Sequence, residues 1–194
     1  MTFRSPIFEL SDQYVDALLA ISPNEATYMG IKANQDKWDD LSPAGYEKRA
    51  ELNRSTLKSL MALTPIDEID RIAQKVMQER LETSLALHDS GEKFSVWSVL
   101  VSPVSEMRSI FEIAPHESDE DFSNITSRLS KLGDAFDSWV ETIEATSAKG
   151  KYVARRQVEG VIEQLESQAN GGYSSMAKRF DGEGKYPELH IQAL

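Results

Sequence analysis

The sequence predicts an all-α fold, an array of antiparallel amphipathic helices forming one lobe. Three observations carry that prediction. Apolar residues recur three or four apart in nearly every segment, Ser-Pro and glycine signals punctuate the segments at helix ends, and no clear period-two stretch has a partner with which to build a sheet.

The first helix is expected over Phe8 to Ile21, where Tyr14, Val15, Leu18 and Leu19 form the apolar stripe. Ser22-Pro23-Asn24-Glu25 reads as a capping box with proline at the first helical position, starting a short helix that Gly30 ends. Ile31 to Leu41 reads as a polar loop. Ser42-Pro43 repeats the start signal for a helix striped by Tyr46, Ala50, Asn53, Leu57, Leu60 and Met61, which stops before Thr64-Pro65. The longest helix is expected from about Ile66 to Ser90, with Ile69, Ile72, Ala73, Val76, Leu81 and Leu85 on its buried face and Gly91 as its stop.

Phe94 to Val101 is ambiguous, because its run of apolar residues suits either a short buried strand or an extended lead-in to the next helix. The lead-in is favoured, since no partner strand is visible. Ser102-Pro103 opens a helix through Met107, Ile110 and Phe111 that Ala114-Pro115 closes. Ser118, followed by Asp119, Glu120 and Asp121, starts another by capping and by dipole, running through Phe122, Ile125, Leu129 and Leu132 to an interruption or kink at Gly133. Phe136, Trp139, Val140 and Ile143 carry the next helix to Gly150. Val153, Val158, Val161, Ile162 and Leu165 carry the last well-marked one to Gly171-Gly172. Tyr186 to Leu194 begins a further helical pattern and stops partway through it, so residues 1–194 are expected to be a single lobe truncated relative to a longer protein.

At 194 residues the chain is long enough to bury roughly 70% of its unfolded surface without metal or disulfide staples. Lys+Arg 21 against Asp+Glu 32 gives a net charge of -11, which repels phosphate backbones and anionic bilayers and argues against nucleic-acid or membrane partners. The absence of cysteine excludes disulfides, thiolate metal sites and a cysteine nucleophile. Arg4, Pro6 and Glu9 break up the N-terminus before a signal-peptide run develops, and a cytoplasmic location is expected.

No complete catalytic site is legible. His88, His116 and His190 are scattered, and in His116-Glu117-Ser118-Asp119-Glu120 the position of a second zinc histidine is Glu120, so a capping turn is the simpler reading. Gly171-Gly172 lacks the strand, helix and lysine of a phosphate loop. His88 continues a row with Arg80 and Ser84 that either lines a pocket or ends as a histidine bonding a carbonyl near the helix C-terminus. Arg155 and Arg156 sit early in a helix, where the dipole disfavours cations, held either by the abundant carboxylates or by a ligand. Trp38, Trp97 and Trp139 read as core or edge-of-core aromatics.

Several blocks taken together carry a family resemblance. They are Tyr14 to Thr27 with Gly30, Glu79-Arg80-Leu81-Glu82 continuing to His88 and Gly91-Glu92, Val99 to Pro103 with Arg108 and Phe111, and Ala154-Arg155-Arg156-Gln157-Val158. In order and spacing they resemble the N-terminal part of the bacterial domain of unknown function 885 family. The resemblance implies long, largely helical proteins similar to gluzincin-type, zinc-dependent peptidases with a carboxypeptidase-like channel, whose His-Glu-x-x-His helix lies in the C-terminal half. This chain would then be a lobe of that larger peptidase-like fold, walling a peptide substrate channel, inactive alone, with no cofactor of its own and with zinc supplied from beyond Leu194. His88, Arg108, Arg155 and Arg156 are the candidate substrate-binding residues, since an arginine can hold a peptide carboxylate through paired hydrogen bonds. The alternative is a stand-alone, non-catalytic helical interaction module.

Overall fold

The computed structural model describes residues 5–95 and 97–173. Among the described residues the fold is all-α, with no strand: α1 (Pro6–Ile21), α2 (Pro23–Tyr28), α3 (Pro43–Met61), α4 (Glu68–Ser90), α5 (Glu92–Ser95), α6 (Pro103–Ile113), α7 (Asp119–Ser130), α8 (Leu132–Ser147) and α9 (Arg155–Ser167), closed by a π-helical turn, Gln168–Gly172. The pattern expected at Tyr186 to Leu194 lies outside the described residues. No described helix is long and apolar enough to cross a membrane.

Local chemistry accounts for most helix ends. The hydroxyls of Ser5, Ser42, Ser102 and Ser118 accept from the backbone N–H three residues on, and Asp67 does the same for α4. Gly91 takes a left-handed φ of 73° at the end of α4, which a side chain would strain. Gly45 answers a different need: a Cβ there would lie 2.2 Å from the Asp40 carbonyl oxygen, so the loop entering α3 can fold against it only if that position is bare.

Three corrections concern particular residues. Ser22 caps α2 without any side-chain hydrogen bond, so the expected capping box does not form and Glu25 is left to face a cleft. The break between α7 and α8 falls at Lys131, with Gly133 inside the first turn of α8 rather than at the break. On α4 the expected buried face is wrong in its first half, where Ile69, Ile72 and Val76 are exposed and Asp70, Ala73, Met77 and Leu81 turn inward. The helix carries two apolar strips, and the one holding Met77 and Leu81 packs on α1 and α3. Phe94 and Ser95 belong to α5 and residues 99–102 form bends, so the stretch from Phe94 to Val101 is not the extended lead-in expected, and among its described residues no strand forms.

The interior is built in two parts. Ile7, Leu60 and Leu81 join α1, α3 and α4, while Leu41, Val104, Met107, Ala135, Trp139 and Val161 join the loop before α3 to α6, α8 and α9. Full burial of each such side chain contributes about 1.5–3 kcal/mol relative to exposure. A smaller cluster of Phe111, Ala114 and Ile125 ties α6 to α7 against Trp38.

Arg128 binds the polar loop to this frame. Its side chain is 1% exposed; Nε donates to the Lys37 carbonyl at 2.9 Å and Nη2 to Thr27 Oγ1 at 2.8 Å, and the guanidinium lies 5.4 Å from the centre of the Trp38 ring. Trp38 Nε1 in turn donates to the Arg128 carbonyl at 2.8 Å. Burial lowers the arginine pKa to about 10, with Asp39 and Asp36 opposing the shift. The loop after α2, as far as Trp38, thus has a fixed path tied to α2 and α7 through Arg128.

Candidate functional site

Two clefts adjoin on either side of Phe94, which lines both, as does Thr142. The ring stacks edge-on against Tyr46 at 4.9 Å and against His88 at 5.3 Å, and so stands as the partition between them.

The larger cleft, about 490 Å³, is lined by Glu25 and Tyr28 from α2, Tyr46 from α3, Lys93 from α5, Glu106 from α6 and Trp139 from α8, among others. Behind Tyr46 a polar cavity of about 310 Å³ continues inward to Tyr14, Asp39, Arg49 and Asn53, sharing Glu25, Tyr46, Lys93 and Glu106 with the cleft. Charges of both signs converge here from separate helices. Arg49 stacks on the Tyr46 ring with its Cζ 4.6 Å from the centroid, and Lys93 Nζ lies 6.0 Å from the same centroid.

These charges are incompletely matched. Arg49 Nη2 donates to the Asp40 carbonyl at 3.0 Å, but Nη1, buried, has no hydrogen bond among the described residues and stands 3.8 Å from Asp39 Oδ2. Among the described residues, no hydrogen bond or ion pair engages the Lys93 ammonium, whose pKa is lowered by partial burial and by Arg49, against the pull of Glu25. Burial raises the Asp39 carboxyl to about 6, although the Asn24 N–H donates to it at 2.9 Å and Arg49 favours its charge. Burial likewise raises the Tyr46 phenol. Glu106 accepts from Asn24 Nδ2 at 2.8 Å, and the Trp97 indole N–H in the cleft wall is buried without a partner among the described residues. Low-dielectric surroundings with unmatched donors favour a charged, hydrogen-bonding ligand.

The second cleft, about 430 Å³, is lined by Glu47, Arg54, His88, Asp89, Lys149 and Lys151. His88 Nε2 lies 3.4 Å from Glu47 Oε2 and Nδ1 lies 3.2 Å from Asp89 Oδ1; Arg54 bonds Glu47 at 2.6 Å and reaches Asp89 at 3.4 Å. A hydrogen bond from Arg54 lowers the Glu47 pKa, and one from His88 lowers that of Asp89. Among the described residues no group of three or more His, Asp or Glu side chains is arranged to hold a metal ion.

Of the four candidate substrate-binding residues, His88 is the one that lines a cleft, while Trp97 and Trp139, read as core aromatics, stand in the wall of the larger one. Arg80 points outward beside Glu79. Ser84, in the row between them, accepts from Asn53 Nδ2 at 3.0 Å at the far wall of the inner cavity. Arg108 is exposed on α6 and paired with Glu112 at 3.2 Å; Arg155 is exposed at the start of α9 and bonded to Glu159 at 2.7 Å, with Arg156 exposed beside it. None of these three lines either cleft.

Sequence reasoning missed Glu25, Asp39, Arg49, Lys93 and Glu106, which stand on five different segments and form no local motif. A faint signal existed in Asn53, a polar residue on the predicted stripe of α3, which accepts from the Tyr14 hydroxyl at 3.0 Å. Comparison with curated proteins finds no match. The family model described as bacterial protein of unknown function (DUF885) matches residues 23–192, a span that includes the lining residues of both clefts. The chain therefore belongs to the DUF885 family.

Proposed function

We propose that this chain is the substrate-binding lobe of a zinc-dependent, carboxypeptidase-like enzyme, and that it receives a peptide in the paired clefts beside Phe94. The observation that carries the reading is the incompletely matched set of charges formed by Lys93, Glu25 and Glu106 in the larger cleft with Arg49 in the cavity behind it. A peptide with free termini offers a carboxylate to the cations and an amine to the carboxylates. Its backbone amides suit the Trp97 N–H and the Tyr46 hydroxyl, and an extended peptide passes Phe94 toward His88 in the second cleft. Here the chain binds and orients; the resemblance to gluzincins assigns the metal, the hydrolytic water and the general base to sequence beyond Leu194. Holding the peptide in one pose is itself a large part of catalysis, because it removes translational and rotational freedom before the chemical step.

Calorimetric titration of the chain with a short peptide, free at both ends or blocked by acetylation and amidation, tests the reading. Binding of the free peptide, weakened at least tenfold by blocking and by Lys93→Met, is expected; equal binding of the two forms, or none, overturns it. The reading frame after Leu194 should encode a His-Glu-x-x-His helix. Alanine substitution of His88, Arg108, Arg155 and Arg156 in the longer protein separates the second cleft from the outer arginines, since only the His88 change is expected to raise KM. The second reading, a stand-alone non-catalytic interaction module, is favoured by one observation, the apolar residues exposed along α4.

A further inference from the structure

That face of α4 has a composition of its own. Ile66, Ile69, Ile72 and Val76 are 55%, 67%, 52% and 55% exposed, on a helix whose opposite side is buried through Asp70 and Leu81. The spacing from Ile69 to Ile72 to Val76 is three then four, which aligns them along one strip about 10 Å long. Ile66 is fixed at the head of the strip, because its N–H donates to the buried Asp70 Oδ2 at 3.2 Å, and Asp70 also accepts from Ser5 Oγ at 2.5 Å. The strip is therefore held on a capped, anchored helix.

The flanking charges decide what fits it. Glu68 and Lys75 lie seven residues apart, on the same edge of the strip, and both are exposed; Glu68 accepts from Arg71 Nε at 2.6 Å within its own helix, and its exposed carboxylate can share a further cation from a second copy. Antiparallel pairing of two copies sets Ile69 against Ile72 of the other copy, and Val76 against its Ile66. The same register brings Glu68 opposite the other copy's Lys75, twice by symmetry. Parallel pairing would bring Lys75 to the other copy's Arg80, like charge on like. The strip is thus complementary to itself in one orientation only.

We propose that the N-terminal half of α4 is an antiparallel homodimerisation surface, with the Ile66, Ile69, Ile72 and Val76 strip as its core and two Glu68–Lys75 pairs at its edges. This inference rests on the exposed strip and its flanking charges and is independent of the substrate reading. The apolar area covered is roughly 400 Å² per copy and about 800 Å² in all, the size of a weak, reversible contact. The net charge of -11 on each chain opposes association at low salt, so the dimer forms best where screening is strong.

Sedimentation equilibrium of the whole chain, at about 0.15 M salt and over roughly 10 μM to 1 mM, tests this. A monomer–dimer equilibrium is expected, with Ile72→Glu weakening it more than tenfold while leaving helix content and melting temperature unchanged. Charge reversal supplies the sharper arm. Lys75→Glu alone and Glu68→Lys alone should each self-associate more weakly than the native chain, since each sets like charges opposite one another, whereas an equimolar mixture of the two should dimerise, because both edges are then matched. A chain that stays monomeric at 1 mM, open-ended association insensitive to Ile72→Glu, or a mixture no more dimeric than its components would each overturn the proposal.

Discussion

Arg128 and Arg49 are both cations withdrawn from water, and they differ in what surrounds them. Arg128 spends its donors on the Lys37 and Pro23 carbonyls, Thr27 and Gln35, and packs on Trp38, so nothing about it invites a ligand. Among the described residues Arg49 has one backbone bond, a carboxylate held at 3.8 Å, a buried nitrogen without a hydrogen bond and a second cation sharing its Tyr46 ring. The first arrangement stabilises a loop, and the second leaves binding capacity unused. A fully satisfied buried cation reads as structural, and one left incompletely satisfied beside a cavity is the candidate for ligand binding.

Substitution should separate the two. Arg128→Met is expected to cost about 3–5 kcal/mol in urea unfolding, because it strips hydrogen bonds from buried carbonyls and from Thr27. Asp39, which faces Arg49, should make stability depend on pH. Its folded pKa, about 6, lies above its unfolded value, so its contribution is complete below about pH 4 and is lost as pH rises through 6. Asp39→Asn, which keeps an acceptor for the Asn24 N–H, should remove that slope and stabilise the fold at pH 7 by about 2 kcal/mol. Arg49→Met should change stability by no more than about 1 kcal/mol yet weaken peptide binding tenfold, or about 1.4 kcal/mol. A stability loss as large as that of Arg128→Met would erase the distinction. Gly91→Ala, in the wall of the second cleft, serves as a backbone control for stability costing about 1 kcal/mol, since the left-handed conformation there is strained for any side chain.

Legibility in the sequence follows the range of the interaction. Helix ends at Ser42, Ser102 and Ser118 were readable because a cap joins residues three apart, and the all-α class followed from periodicity. Ser22 carried the same pattern and failed as a cap, because its backbone turns away from cap geometry at φ -131°, ψ 78°. The buried face of α4 was misread in its first half because periodicity reports an apolar strip and not which strip meets a neighbour; Met77 and Leu81 met α1 and α3, and Ile72 did not. Of the four candidate residues named from sequence, only His88 lies in a cleft. The rest of the site's charged groups are joined by packing between α2, α3, α5, α6 and the loop before α3, and spacing along the chain holds no trace of such a meeting.

The most direct test of the paired-cleft reading is an amide chemical-shift titration of the chain with a short free-terminus peptide. Saturable shifts concentrated at Glu25, Tyr46, Arg49, Lys93, Phe94 and Glu106, extending to His88 as the peptide is lengthened, are expected. Shifts confined to the Ile69–Val76 half of α4 or to the Arg155–Arg156 end of α9, with the clefts silent, would contradict it.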